Sequence, residues 1–404
     1  MDGWTNSQAL REGAFVVKVL AYNSAARGTG QFVRGLKLAD TIVSAFGEAR
    51  CTLLVGSNYF SRRCPENTTI VRLPEITKTL DGRTECRTLD VNRAFEIRQA
   101  TIRSVLSEFR PDVFLVDSRP LGLNGELLHS LEAIRARGEC KSMLILRDIV
   151  DEPASVKARW RDESVYEAIE ALYDKIVILG EEAIYNAADM YGLTSFGKKV
   201  IYVGYLGDRV TQDADQSVRH HGSSDSVNSV LVTVGGGYDG DRLIRSVCCY
   251  IESIADAQRH ICFKIVLGGN SPLLKSALLA DYPRITRDAE IIAYLDHLAA
   301  LIAEADLVVT MCGYNTLTEA LAHRKKLIAV PRSHSGSEQI IRAEAVARAY
   351  DGIWVLPEDK LSTEAIGQAL RSGLAAPPPR VKIEMSGNAR LVELLKNEVQ
   401  HARH

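Results

Sequence analysis

The sequence predicts two doubly wound α/β domains in tandem. Apolar runs of strand length alternate with helically spaced segments along most of the 404 residues, a pattern that builds parallel sheets. The alternation falls into two sets, separated by the polar, Ser-rich stretch Thr211 to Ser229. Each set opens with a strand, a glycine-containing turn and a helix, the unit that places ligands at the carboxyl edge of a sheet.

Residues 1–13 read as an N-terminal extension and 14–210 as the first domain. Its expected strands are Val16 to Ala21, Cys51 to Val55, Val113 to Val116, Ser142 to Leu146 and Ile176 to Leu179. Residues 211–229 read as a linker or exposed crossover, and 230–376 as the second domain. There the expected strands are Val230 to Val234, Cys262 to Leu267, Leu307 to Thr310, Leu327 to Val330 and Gly352 to Val355. Pro377-Pro378-Pro379 ends the last helix of that domain. In the tail, 377–404, the segment Asn388 to Val399 is expected to form a helix crossing back to the first domain.

Arg27-Gly28-Thr29-Gly30 follows the first strand and precedes a helix carrying Phe32, Leu36, Ala39 and Val43, which makes it a phosphate-loop candidate. It fails as a dinucleotide fingerprint. Val33 stands where the third glycine belongs, and Val55 leads into Gly56-Ser57-Asn58 rather than an acid. A nicotinamide enzyme is therefore disfavoured.

The densest information lies between Ala305 and Arg348. The run Leu307-Val308-Val309-Thr310 breaks at Gly313 and restarts with helical spacing at Leu317, Ala320 and Leu321. Backbone N–H groups at such a helix start attract phosphate, and Asn315 and Thr316 add side-chain donors. Glu319, one turn on, suits the two hydroxyls of a ribose. After Pro331 a polar loop leads to Glu338-Gln339, a pair suited to sugar hydroxyls. Thr316-x-x-Glu319 and Ser335-x-x-Glu338 also match a capping box, which leaves either acid a purely structural alternative. Gly235-Gly236-Gly237 offers further backbone donors, or merely turns the chain after Val234.

Composition sets outer bounds. A formal net charge of −2, interspersed signs and 6% aromatic residues argue against nucleic acid as partner. No apolar run approaches the roughly 20 residues of a membrane span, and a cytoplasmic location is expected. The eight cysteines form no Cys-x-x-Cys pair and read as reduced thiols. Cys312 stands apart because a helix start beside it favours a thiolate, against the alternative of a small packing residue.

Three motifs carry a resemblance: Leu146-Arg147-Asp148-Ile149, Val232 to Gly240 (VTVGGGYDG) and Met311 to Thr316 (MCGYNT). Through them the chain resembles, over about residues 14 to 375, a bacterial family of glycosyltransferases of the GT-B superfamily. The 305–348 segment is similar to the donor-binding half of the peptidoglycan N-acetylglucosaminyltransferase, the family 28 C-terminal domain. The resemblance implies two Rossmann-like domains facing across a cleft. It also implies that Glu319 holds ribose, Thr316 lies by the phosphates, Glu338-Gln339 meets the donor sugar and the backbone near Leu295 reads the base.

In that superfamily a glycine loop matching Gly28, Thr29 and Gly30 faces acceptor and phosphates, and continues into a histidine and an arginine. Gln31 replaces the histidine here, while Arg34 remains. Glutamine cannot take a proton. Of nine histidines only His129 precedes residue 220, on a helix surface, so a base is sought among carboxylates at strand ends. Asp117 and Asp148 meet that condition, with a turn, a cap or a salt bridge to Arg119 or Arg147 as the alternative.

The expected chemistry is direct, inverting, metal-independent displacement by a hexosyl- or N-acetylhexosaminyltransferase. Backbone donors of Gly235 to Gly237 and Gly313, with Arg34 or Arg209, stabilise the leaving diphosphate. The donor is expected to be UDP-linked, and no cofactor is called for. The acceptor is open among small molecules, lipid-linked sugars and polysaccharides, and Asn58 to Arg63 offers a peripheral membrane contact. A nucleotide-sugar 2-epimerase or hydrolase, or a degenerate nucleotide-sugar-binding partner protein, are the alternatives.

Overall fold

The computed structural model describes residues 16–24, 30–56, 63–78, 83–207, 227–254, 261–334 and 336–401. Gly28, Thr29, Arg209, most of the 58–63 loop and nearly all of the 211–229 stretch lie outside them. The first domain holds β1 (Lys18–Asn23), β2 (Arg50–Val55), β3 (Thr68–Arg72), β4 (Thr77–Lys78), β5 (Thr84–Glu85), β6 (Val113–Asp117), β7 (Lys141–Arg147), β8 (Lys175–Leu179) and β9 (Val200–Tyr202). The second holds β10 (Asn228–Thr233), β11 (Ile261–Val266), β12 (Ala289–Ile292), β13 (Leu307–Thr310), β14 (Lys326–Ala329) and β15 (Ile353–Val355).

Seven strands form the first sheet in the order β3-β2-β1-β6-β7-β8-β9, and six form the second as β12-β11-β10-β13-β14-β15. Every pairing within these two sheets is parallel. In each sheet the order reverses beside the first strand, β1 and β10, and opens a crevice at the carboxyl edge. β4 and β5 form a separate antiparallel pair.

All the strands expected from apolar runs are present, shifted by a residue or two at their ends. Those the sequence concealed are marginal ones. β3, β9 and β12 sit at sheet edges and are only partly buried, so no continuous apolar run marks them.

One apolar cluster runs through both domains. It joins the inner face of the first sheet and the helix Gly30–Phe46 to Leu231, Val308 and Leu317 of the second domain. The closing helix Gly387–His401 buries Leu391, Leu395 and Val399 in that cluster. At about 1.5–3 kcal/mol per fully buried aliphatic side chain, this face holds the tail against the first domain. Asn388 Nδ2 donates to Thr41 Oγ1 (3.0 Å), and Lys175 pairs with Glu398 (3.3 Å). The crevice of each sheet thereby faces the other.

Candidate functional site

A cleft of about 1380 Å³ separates the two carboxyl edges. Single ligand pockets run to roughly 300–1000 Å³, so the cleft has room for a donor and part of an acceptor. Its second-domain wall is built from turns that favour glycine. Gly235 (φ 62°) and Gly237 (φ 93°) follow β10, and Gly268 (φ 87°) follows β11. A Cβ on Gly268 would stand 2.4 Å from the Gly235 carbonyl oxygen. The two turns are clamped by Asn270, whose backbone N–H donates to the Gly236 carbonyl (2.9 Å). The glycines turn the chain, as the turn-only alternative has it, and they also line the cleft. Gly268→Ala combines forbidden backbone with overlap and is expected to cost on the order of 1–3 kcal/mol, read as a lowered Tm. An unchanged Tm refutes the clamp.

The helix Tyr314–Ala322 starts at the cleft. Gly313, not Thr316, occupies its N-cap, and no side chain caps it. Ser337, not Ser335, precedes the helix Glu338–Ala349 as its N-cap. The capping-box spacings are therefore not used, and both acids are turned to other partners. Glu319 Oε1 accepts from Lys37 Nζ of the first domain at 2.6 Å. Asn315 Nδ2 donates to the Gly30 carbonyl (3.0 Å), while the buried Asn315 Oδ1 has no partner among the described residues. Thr316, Leu295 and Gln339 also line the cleft. Leu295 is flanked by Tyr294, whose hydroxyl donates to Asp296 (2.9 Å), and by His297.

Glu338 lies in a cationic nest. It pairs with Arg147 from the end of β7, and with Arg332 at 3.6 Å. Burial alone would raise its pKa, but Arg147, Arg342, Arg332 and Arg34 outweigh it and hold the carboxyl below its ordinary value. Arg332 is aimed by Asp239 (2.9 Å) and by Gln339, whose Oε1 accepts the Arg332 backbone N–H (3.1 Å). The Nε groups of both Arg147 and Arg332 are buried without an acceptor among the described residues. Both arginines also line the cleft, where a guanidinium suits an anionic ligand.

The two acids expected to supply a base are placed elsewhere. Asp117 is 2% exposed and receives Arg34 through Nε (3.2 Å) and a second nitrogen (2.8 and 2.7 Å), with Asn23 and Ser118 completing its shell. Asp148 is equally buried and receives Arg342 through three contacts of 2.9 to 3.1 Å. Neither lines the cleft. Each carboxylate is committed to neutralising a buried guanidinium, which removes it from proton transfer and replaces the expected partners Arg119 and Arg147. Arg34, expected on the diphosphate, gives Nε and one terminal nitrogen to Asp117 while still lining the cleft.

Tyr314 joins these pairs: its ring lies 5.7 Å from the Arg34 guanidinium and 5.9 Å from that of Arg342. Cys312 adopts a left-handed backbone (φ 60°), and its carbonyl accepts from Arg342 (3.3 Å). Its thiol is fully buried, and burial pushes it up to about 12, the packing role rather than the thiolate. Gln31 lines the cleft with Oε1 accepting from Ser24 (3.2 Å). His129 is solvated beside Glu132, as its helix position implied.

The carboxylate that sequence reading passed over is Asp151, three residues beyond Asp148. It lines the cleft, and its Oδ1 accepts the backbone N–H groups of Glu152 and, across the domain boundary, Ser337, each at 2.9 Å. Its Oδ2 has no protein hydrogen-bond partner among the described residues. The signal was faint: another acid in a turn, with no strand directly before it.

Residues 229–398 match the glycosyltransferase family 28 C-terminal domain. An uncharacterized glycosyltransferase of Methanopyrus kandleri is 26% identical over 205 residues, 48% of this chain and 53% of the relative. The UDP-N-acetylglucosamine–N-acetylmuramyl-(pentapeptide) pyrophosphoryl-undecaprenol N-acetylglucosamine transferase of Paracidovorax citrulli is 28% identical over 177 residues, 43% of this chain and 48% of that one. The chain thus spans about half the length of the curated relatives it matches.

Solved structures extend the likeness to both domains at the level of fold. Acinetobacter baumannii MurG superposes with a TM-score of 0.52 at 12% identity, covering 95% of each chain. A provisional UDP-N-acetylglucosamine 2-epimerase of Listeria monocytogenes gives 0.61 at 13%, covering 96% of this chain and 98% of that one. The chain thus has the two-domain fold of the GT-B glycosyltransferases, and its residues 229–398 match the glycosyltransferase family 28 C-terminal domain.

Proposed function

We propose that this protein transfers a sugar from a nucleoside diphosphate donor, UDP-linked, to a nucleophilic acceptor, with inversion and without a metal. One observation carries the reading. The glycine turn Gly235 to Gly237, the helix start at Gly313 to Thr316, Glu319 and the Arg147–Glu338–Arg332 nest all open on one cleft between the domains. The donor is assigned along that wall: base near Leu295, ribose at Glu319, diphosphate at the helix start and glycine turn, sugar toward Glu338 and Gln339. A hexose or N-acetylhexosamine is the donor sugar in this reading.

For the base, Asp151 takes the place first given to Asp117 and Asp148. Ser337 joins it directly to the segment leading into Glu338-Gln339, which supports a base on that side of the proposed donor sugar. In the proposed step Asp151 accepts the acceptor's hydroxyl proton as that oxygen bonds to the anomeric carbon. The bond from that carbon to the diphosphate oxygen breaks, and the nucleoside diphosphate leaves with the electron pair. Backbone donors and the two arginines stabilise its charge.

Calorimetric titration with UDP, GDP, TDP and NAD tests the donor pocket. UDP is expected to bind selectively, and Glu319→Ala to weaken it by about 1.5–3 kcal/mol, the loss of charge-assisted hydrogen bonds. Binding of no nucleotide by the folded protein sinks the reading. The epimerase and hydrolase readings share the fold and are separated by acceptor dependence: sugar transfer releases nucleoside diphosphate only when an acceptor is present.

A further inference from the structure

Resting on the nucleoside diphosphate reading of the cleft, we propose that Lys37 is a specificity-determining residue that reads the ribose together with Glu319 and restricts the site to ribonucleotides. Glu319 sits one helical turn beyond Thr316 on the second domain, and Lys37 sits on the first domain's helix Gly30–Phe46. Their charged ends meet at 2.6 Å, with side chains only 16% and 10% exposed, and both line the cleft. The bond joining Asn315 Nδ2 to the Gly30 carbonyl fixes the two helix starts against each other close by. The ammonium is thus delivered to the acid by the packing of the domains rather than by a flexible reach.

The chemistry then follows from donor and acceptor capacity. A carboxylate offers about four lone-pair sites and accepts both hydroxyls of a vicinal diol while keeping one contact to an ammonium. An ammonium has three hydrogens and no acceptor, so beyond Glu319 it donates to a hydroxyl oxygen of the same diol. Glu319 accepts hydrogen bonds from the hydroxyls and Lys37 donates one to a hydroxyl oxygen, leaving both groups of the diol matched. A 2′-deoxyribose removes one of those partners and leaves part of a largely buried ion pair unmatched, the situation that discriminates most strongly. Because the two readers come from different domains, ribose recognition also requires the cleft to be assembled.

The test compares UDP with dUDP, which differ by that hydroxyl alone, on the full chain. Wild-type protein is expected to favour UDP by roughly tenfold to hundredfold. Lys37→Met is expected to bring the preference below about threefold by weakening UDP and leaving dUDP nearly unchanged. Lys37→Arg, which retains the positive charge, is expected to keep part of the preference, and unchanged melting curves show that both variants fold. Equal binding of UDP and dUDP by the wild type overturns the inference while leaving the nucleotide pocket standing. So does an undiminished preference in Lys37→Met, or tighter UDP binding in it, which marks Lys37 as a competitor of ribose. Absence of binding to either nucleotide refutes the pocket itself.

Discussion

Arg342→Met is expected to destabilise the protein by about 3–5 kcal/mol, because it strands a buried carboxylate between the domains. The Arg342 side chain is fully buried, makes three contacts with Asp148, and donates further to the carbonyls of Cys312 (3.3 Å) and Ile149 (3.2 Å). Burial works against its charge, but Asp148 and Glu338 overcome that and hold the guanidinium above its ordinary pKa. Methionine fills the volume and leaves Asp148 with only the Ile149 N–H, at 2.7 Å, among the bonds described for it. Chemical denaturation of the single variants and of Arg342→Met/Asp148→Asn reads the effect. The double variant is expected to recover much of the loss, since removing both charges removes the desolvation cost as well. Single-variant stabilities within 1 kcal/mol of wild type would falsify this account of the interface.

Asp151→Asn is expected to lower turnover about 10²- to 10⁴-fold, the usual contribution of a positioned general base. Asparagine preserves the geometry: its carbonyl oxygen still accepts the Glu152 and Ser337 N–H groups that now meet Oδ1. What it lacks is an oxygen that takes a proton. The decline is therefore expected in kcat, with the donor KM changed by less than about threefold and the melting temperature unchanged. A merely structural Asp151 gives the opposite pattern, with raised KM and lowered Tm. Full activity in Asp151→Asn returns the search for the base to the cleft's remaining groups, His297 and His334 among them.

These two sites also mark where sequence reading succeeds and where it stops. The central strands were legible because a parallel strand covered on both faces is apolar along most of its length: β6 and β13 are buried at every position, and Val113 to Val116 and Leu307 to Val309 are apolar. The glycine turns and the helix start at Gly313 were legible because they follow such strands directly. Asp117 and Asp148 were legible as strand-end acids, but their partners were not. Arg34 is 83 residues from Asp117 and Arg342 is 194 residues from Asp148. No local pattern encodes a pairing at that separation.

By itself, then, the sequence determined the two doubly wound sheets, their glycine-bearing edges and a set of residues that line one wall of the cleft, Gly235 to Gly237, Gly313, Asn315, Thr316, Glu319 and Gln339. These rest on periodicity, backbone freedom and helix starts, all of which act within a few residues. Only the tertiary structure decided which charges are spent on buried ion pairs, within the first domain or between the domains, and which carboxylates face the cleft. Burial and partnership are properties of space. They withdrew Asp117, Asp148 and Arg34 into buried ion pairs, brought Lys37 to Glu319, and left Asp151 with an open oxygen beside the cleft.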